Sequence, residues 1–173
     1  VFNAINADYS QILNGVSNNI FNSTNPLVNT YSYFSTIING KNNISKGGYS
    51  TIINGKNNYL NSSASLGQVY NIIGSGSNNR IVSGSSVVIL NGAGNFSHNS
   101  FSTILNGILN TATTNYSFIA NGTGNSITSF AERSVILNGF KNSATTKSSV
   151  ILNGFQNFVT SQSDERYQLI GNG

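Results

Sequence analysis

Apolar and polar positions alternate along the chain in a short pattern that returns about every fifteen residues. The clearest copies are FSTIINGKNN at 34–43 and YSTIINGKNN at 49–58, which agree at nine of ten positions. Self-similarity at one short period is typical of solenoids, in which each coil buries its apolar face only against its neighbours. With the Asn before the Gly as anchor, the pattern fits ten times: Asn14, Asn39, Asn54, Gly74, Asn91, Asn106, Asn121, Asn138, Asn153 and Gly171.

Each copy predicts two short strands. Ser lies four residues before the anchor in seven copies, Ile or Leu lies two before it in all ten, and the run ends at a Gly in eight. This β-branched segment predicts a strand closed by a tight turn, and Asn-x-apolar segments such as 125–127 predict a weaker second strand. The prediction is an all-β fold, a parallel β-solenoid of about ten coils forming one repeat domain over 1–173, roughly 48 Å long.

The position four residues after the anchor is Asn in all nine copies that extend so far. An amide side chain both donates and accepts, so identical Asn residues stacked one coil apart can bond each other and the turn backbone. The sequence therefore predicts a structural ladder rather than a ligand site. Its members are Asn18, Asn43, Asn58, Asn78, Asn95, Asn110, Asn125, Asn142 and Asn157.

A second apolar column lies one residue before the anchor, on the opposite face from the Ile column. One face of a solenoid fills its interior and the other meets water, so an outward row of large aliphatic residues indicates a partner. The predicted interface residues are Leu13, Ile38, Ile53, Ile73, Leu90, Leu105, Leu137, Leu152 and Ile170.

Two inserts interrupt the period, in irregular coils at 19–33 and 59–70; the first holds Pro26, the only proline. Inserts in repeat proteins collect on one face, often the binding face. The predicted receptor contacts are Asn22, Asn25, Asn29, Asn61, Ser63 and Gln68.

Composition argues against several functions. Charged residues make up 7% of the chain, and the net charge of +4 comes from residues scattered singly; without a basic stripe, we expect no nucleic-acid binding. There is no cysteine and no apolar run long enough to insert in a membrane. Because the chain begins at Val1 and stops within a repeat at Gly173, we expect it to be part of a longer fibre.

Catalytic chemistry has few candidates. The carboxylates are Asp8, Glu132, Asp164 and Glu165, with no pair placed for hydrolysis, and His98 is the sole histidine. We therefore predict no enzyme, metal site or cofactor. Aromatic residues begin several strands (Tyr9, Phe34, Tyr49, Phe101 and Tyr116), a row that favours covering the edge of the core over holding sugar rings.

The unit SVILNGFKN at 134–142, repeated as SVILNGFQN at 149–157, resembles the head repeats of trimeric autotransporter adhesins, the YadA-like head, and similar repeats in viral and phage fibres. The resemblance covers Tyr9 to Gly173. It implies a left-handed β-roll, three chains about a common axis and an attachment role. A homotrimer is also the simplest way to bury the outer Leu and Ile column.

The leading hypothesis is a non-enzymatic structural and adhesive fibre segment, extracellular on a virion or cell surface, with a host surface receptor or glycan as partner. One alternative is an ice-binding solenoid, for which a regular outward row of Thr, Val or Ser is needed. The candidate row is interrupted by large and amide side chains: Gln11, Thr36, Thr51, Asn71, Val88, Thr103, Phe118, Val135, Val150 and Gln168. A second alternative is a polysaccharide-depolymerase spike, which the shortage of carboxylates disfavours.

Overall fold

The chain folds as the predicted all-β parallel solenoid, of about 9 turns with ~16 residues per turn. The computed structural model describes residues 2–7, 9–21, 34–61, 70–128, 130–160 and 167–173. Twenty short strands in these residues form two ten-stranded sheets, and every pairing is parallel between successive coils. The odd-numbered strands form one sheet, called here the odd sheet, and the even-numbered strands form the even sheet.

The odd sheet contains β1 (Ala4–Asn6), β3 (Asn19–Phe21), β5 (Ile44–Lys46), β7 (Tyr59–Asn61), β9 (Arg80–Ile81), β11 (Phe96–Ser97), β13 (Thr111–Ala112), β15 (Ser126–Ile127), β17 (Ser143–Ala144) and β19 (Phe158–Val159). The even sheet contains β2 (Gln11–Ile12), β4 (Thr36–Ile37), β6 (Ser50–Ile52), β8 (Asn71–Ile73), β10 (Val88–Ile89), β12 (Thr103–Ile104), β14 (Phe118–Ile119), β16 (Val135–Ile136), β18 (Val150–Asn153) and β20 (Leu169–Asn172).

A third, narrower wall closes each coil. It consists of a column of single parallel bridges, which runs Val16, Lys41, Lys56, Ser77, Ala93, Ile108, Thr123, Phe140 and Phe155. We call it the bridge column. These residues lie two positions after the anchor, directly after the turn glycine. The anchor residues themselves are exposed on the turn, except the half-buried Ser75, which the register places at the anchor position of the fourth coil.

The core consists mainly of one inward residue from each strand, because alternate side chains of a strand point to opposite faces, and Val87 and Ala131 add to it from the turns. The even sheet contributes an almost uniform isoleucine column, including Ile37, Ile52, Ile89 and Ile104, each fully buried. The odd sheet contributes a mixed column of Ile20, Ser45, Leu60, Ile81, Ser97, Ala112, Ile127, Ala144 and Val159. Burial of one such isoleucine is worth about 1.5–3 kcal/mol, and the column repeats that gain in every coil.

The turn glycines cannot be replaced by other residues at low cost. At Gly107 the φ angle is 115°, outside the range that a side chain tolerates, and an added Cβ would overlap the carbonyl oxygen of Gly122 in the next coil. Gly92 and Gly122 have the same geometry. The recurrent glycine of the repeat therefore comes from the close approach of successive coils at this turn.

The predicted frame is wrong by one residue in the fourth and tenth coils. Ile52 pairs with Ile73, and Ile151 pairs with Ile170. Ile73 is fully buried and Ile170 packs against the core, so neither belongs to the outer column. Gly74 and Gly171 take those outer positions.

The apolar and Asn positions of the fourth coil fit either frame, because Ile72-Ile73 and Asn78-Asn79 are both doublets. The turn position distinguishes the frames: it is Ser75 in the predicted frame and Gly76 in the frame one residue later. A slip of one residue exchanges the two faces of a strand. The structure adopts the register that puts Gly76 in the glycine column at a φ of 103°.

Candidate functional site

The asparagine ladder occupies the corner between the bridge column and the odd sheet. In each coil the side-chain oxygen accepts the backbone N–H of the Asn one coil later, as from Asn110 to Asn95 at 3.0 Å. The amide nitrogen donates to the anchor carbonyl of its own coil and to the glycine carbonyl of the next, as from Asn110 to Asn106 at 3.3 Å and to Gly122 at 3.0 Å. Both ends of the side chain are therefore used within the fold, and the ladder leaves no amide for a ligand.

Eight of the nine predicted ladder residues lie in this column, namely Asn18, Asn43, Asn58, Asn95, Asn110, Asn125, Asn142 and Asn157. The exception is the fourth coil, where the prediction of Asn78 is wrong and Asn79 takes the place. Asn78 is exposed at a φ of 56°. Asn3 extends the ladder before the first predicted member, since its oxygen accepts the N–H of Asn18 at 2.9 Å. The sequence prediction did not include Asn3 because it precedes the first predicted anchor, Asn14.

The outer face of the even sheet carries the predicted apolar column. Its large members are exposed or half-buried in the single chain: Leu13, Ile38, Ile53, Leu90, Leu105, Leu137 and Leu152. Leu90, for example, is 46% exposed at the middle of the rod. Gly74, Ala120 and Gly171 interrupt the column. The residues two positions earlier on the same face are mainly Thr and Val, and none of them is charged, so the apolar column has no charged neighbour on that side.

The bridge column adds exposed apolar surface that the sequence reading missed. Ile108, Phe140 and Phe155 are exposed, and the rings of Phe140 and Phe155 stack with centroids 5.3 Å apart. An open groove of about 730 Å³ separates this column from the anchor residues; Gly92, Gly107 and Gly122 are among the residues that line it. The sequence signal for this surface was the second residue after the anchor, which points outward in every coil.

The aromatic column lies at the corner that precedes the even sheet. Ring centroids of Tyr9, Phe34 and Tyr49 are 5.3–5.4 Å apart in succession, and Phe101 stacks on Tyr116 at 4.9 Å with an interplanar angle of 3°. Because neighbouring rings cover each other's faces, mainly their edges meet solvent. Flat contact with a sugar ring needs a free face, so the stack favours the structural interpretation.

The residues that flank 22–33, 62–69 and 161–166 all lie at the same corner of the coil. On one side each segment follows the end of an odd strand, and on the other it precedes the aromatic corner. The flanking residues are Phe21 and Phe34, Asn61 and Tyr70, and Thr160 and Tyr167. Of the predicted receptor contacts, only Asn61 is described: it ends β7, is half-buried and pairs in register with Lys46. Asn22, Asn25, Asn29, Ser63 and Gln68 lie outside the described residues.

The described part of the chain contains few side chains that could act as a general acid or base. Glu132 is the one carboxylate there and lies 3.9 Å from the ammonium group of Lys147, with both side chains about half exposed. Asp8, Asp164 and Glu165 lie outside it. His98 is half-buried on the outer face of the odd sheet, and no cluster of three metal-ligating side chains occurs among the described residues. No helix there could cross a membrane.

A scan against protein-family profiles finds no match for this chain. A search of curated proteins likewise finds none. The resemblance to YadA-like heads therefore stays a prediction, and the geometry of the surfaces carries the functional argument.

Proposed function

We propose that this chain is a non-enzymatic structural and adhesive segment of an extracellular fibre on a virion or cell surface, and that its working form is a homotrimer. The observation that carries the proposal is the apolar outer wall of the even sheet. Leu90, Leu137 and Leu152 are each at least 40% exposed in the single chain and lie in one straight column. A contiguous apolar row of this kind is costly in water and typical of interaction surfaces.

Self-association accounts for the shape of this wall better than a globular partner does. The column repeats at the spacing of the coils, about 4.8 Å, so a second rod in parallel offers the same spacing along its whole length. Ile108 and Phe155 of the bridge column are exposed and extend the apolar surface to the far side of the open groove that the turn glycines line. Three rods about one axis would bury the even sheets and leave the odd sheets and the insert corner outward.

Attachment follows from this arrangement by multivalency. Each outward face and each set of inserts is present three times on a stiff rod, and linked weak sites bind a repetitive surface far more tightly than one site alone. The partner under this proposal is a host surface receptor or glycan.

The test is the molar mass in solution, measured by light scattering at several concentrations. We expect three times the mass of the 18.3 kDa chain. The double substitution Leu90→Lys with Leu137→Lys places charges in the apolar wall and should reduce the mass to one chain. The matched control, Ser126→Lys, places a charge on the outer face of the odd sheet and should leave the trimer intact. A wild-type monomer would overturn the trimer.

Ice binding is the second candidate function, and we propose the odd sheet for it rather than the even-sheet row. The even-sheet row contains Ile72, Phe118 and Leu169 in place of a flat hydroxyl array. The odd sheet instead carries three adjacent outward pairs of hydroxyls: Thr111 with Thr113, Ser126 with Thr128, and Ser143 with Thr145. The Thr145 hydroxyl is held by the carbonyl of Val159 at 3.1 Å. Thermal hysteresis that disappears in Thr128→Lys would support this candidate, and its absence in the wild type would exclude it.

A further inference from the structure

The N-terminal half of the odd sheet carries an alternating row of rings and cations on its outer face. The ammonium group of Lys46 lies 5.6 Å from the ring centroid of Phe21 and 5.8 Å from that of Tyr59. The guanidinium of Arg80 lies 5.5 Å from the centroid of Tyr59 and 5.9 Å from that of Phe96. These five residues belong to five successive strands of the sheet, and we call them the cation–aromatic stripe.

The cations of the stripe have no acidic counterpart nearby in sequence. From Tyr9 to Ala131 the chain contains no Asp or Glu, whereas Lys41, Lys46, Lys56 and Arg80 all fall in this span. The one ion pair found among the described residues joins Glu132 to Lys147, toward the other end of the rod. Among the described residues the stripe therefore presents positive charge without an acidic partner, and contact with the rings holds the cations in place.

The charge of the stripe narrows the class of ligand, because Lys or Arg pairs with sulfate or carboxylate groups. Both cations lie over the ring of Tyr59, so this ring holds them in position and does not itself stack on a sugar. Lys46 and Arg80 lie two coils apart, about 9.6 Å along the rod, a spacing on the scale of a disaccharide. Phe21 and Asn61, which occupy one outward column with Lys46, directly precede residues 22–33 and 62–69, so this end of the stripe lies next to both inserts.

We infer that the cation–aromatic stripe is a binding site for an anionic polysaccharide, a sulfated or uronate-bearing glycan that lies along the rod. The inference rests on the proposed function and gives its attachment role a ligand class. In the proposed trimer the even sheets face inward, so three copies of the stripe face outward at once. Two cations and three rings per chain make one site weak, and the threefold repeat supplies the avidity.

The experiment measures binding of the whole chain to heparin, as a sulfated probe, by calorimetry at two salt concentrations, with neutral dextran for comparison. We expect binding to heparin that weakens with salt, and none to dextran. Lys46→Gln with Arg80→Gln should weaken heparin binding by about tenfold or more. The control, Lys41→Gln with Lys56→Gln, removes the same charge from the bridge column of neighbouring coils and should change the affinity by less than about threefold.

The rings are tested separately by Tyr59→Leu, which keeps both cations and should weaken binding several-fold. Circular dichroism of each variant establishes that the fold is kept. The inference is overturned if the wild type does not bind heparin, or if the two double variants lose affinity equally, which would indicate general attraction to charge. Tighter, stripe-dependent binding of oligothymidylate would assign the surface to nucleic acid instead.

Failure of this inference is distinguishable from failure of the fibre proposal. A trimer that does not bind heparin would refute only the glycan site. A monomer that binds heparin through Lys46 and Arg80 would refute only the trimer.

Discussion

The backbone N–H of Asn110 donates to the side-chain oxygen of Asn95 at 3.0 Å, fifteen residues earlier in the chain and one coil away. Asn110 repeats the arrangement toward Asn125, whose N–H it accepts at 2.9 Å. A buried backbone N–H without a partner costs about 1–3 kcal/mol, and this is the cost that each ladder residue removes from the next coil. The ladder therefore couples neighbouring coils as well as closing each turn.

The register of the fourth coil gives a paired test of this coupling. Asn79 accepts the N–H of Asn95 at 3.1 Å and donates to Gly92 at 2.9 Å, whereas Asn78 makes one exposed side-chain bond to Asn57. We expect Asn79→Ala to lower the free energy of unfolding by about 2–4 kcal/mol. The neighbouring Asn78→Ala should cost about 1 kcal/mol, mainly because Ala disfavours the left-handed conformation. Thermal unfolding compares the two, and a larger loss from Asn78→Ala would contradict the register.

The turn glycines give a second paired test. Alanine at Gly107 would overlap the carbonyl of Gly122 at a φ that alanine does not adopt, so we expect a loss of at least about 3 kcal/mol or failure to fold. Gly124 has a φ of 66°, and the atom nearest an added Cβ is the Cγ of Lys141 at 3.4 Å. Gly124→Ala should therefore cost only about 1 kcal/mol. The measurements are soluble yield and thermal midpoint, and equal tolerance of both changes would mean that the coils approach less closely than described.

Buried serines with and without a hydrogen-bond partner should respond to alanine in opposite directions. The hydroxyl oxygens of Ser97 and Ser45 are buried without a hydrogen-bond partner, and later coils place Ala112 and Ala144 in the same inward column. Removal of such an unpaired hydroxyl should stabilise the fold by about 1 kcal/mol. The control is Ser102→Ala, which loses a buried bond to the carbonyl of Thr114 at 2.9 Å and should be destabilising.

A lower melting temperature for Ser97→Ala would show that the hydroxyl has a partner, such as buried water. The same measurement on Ser45→Ala, in an earlier coil of the same column, provides an independent repeat.

The predicted fold depended on local rules that apply coil by coil. An Ile such as Ile104 recurs at one position because alternation sends it inward, and the Gly after the anchor recurs because successive turns nearly touch. Errors arose where doublets of like residues satisfy two frames. Ile73 was assigned outward and Asn78 to the ladder because either frame of the fourth coil satisfies the apolar pattern. Pairing with Ile52 and Asn58 selects one frame, as does the glycine rule, which requires Gly76 rather than Ser75 at the turn.

The sequence by itself determined the period, the stacking of identical residues and the existence of an apolar outer column, because each follows from a side chain repeated at a fixed position. The tertiary structure decided which residues at non-equivalent positions of the repeat come into contact. Lys46 lies seven residues after its anchor and Tyr59 five after its own, so the two occupy different columns of the repeat. Their contact arises because parallel pairing places both on the outer face of adjacent strands, about 4.8 Å apart, whatever the length of chain between coils.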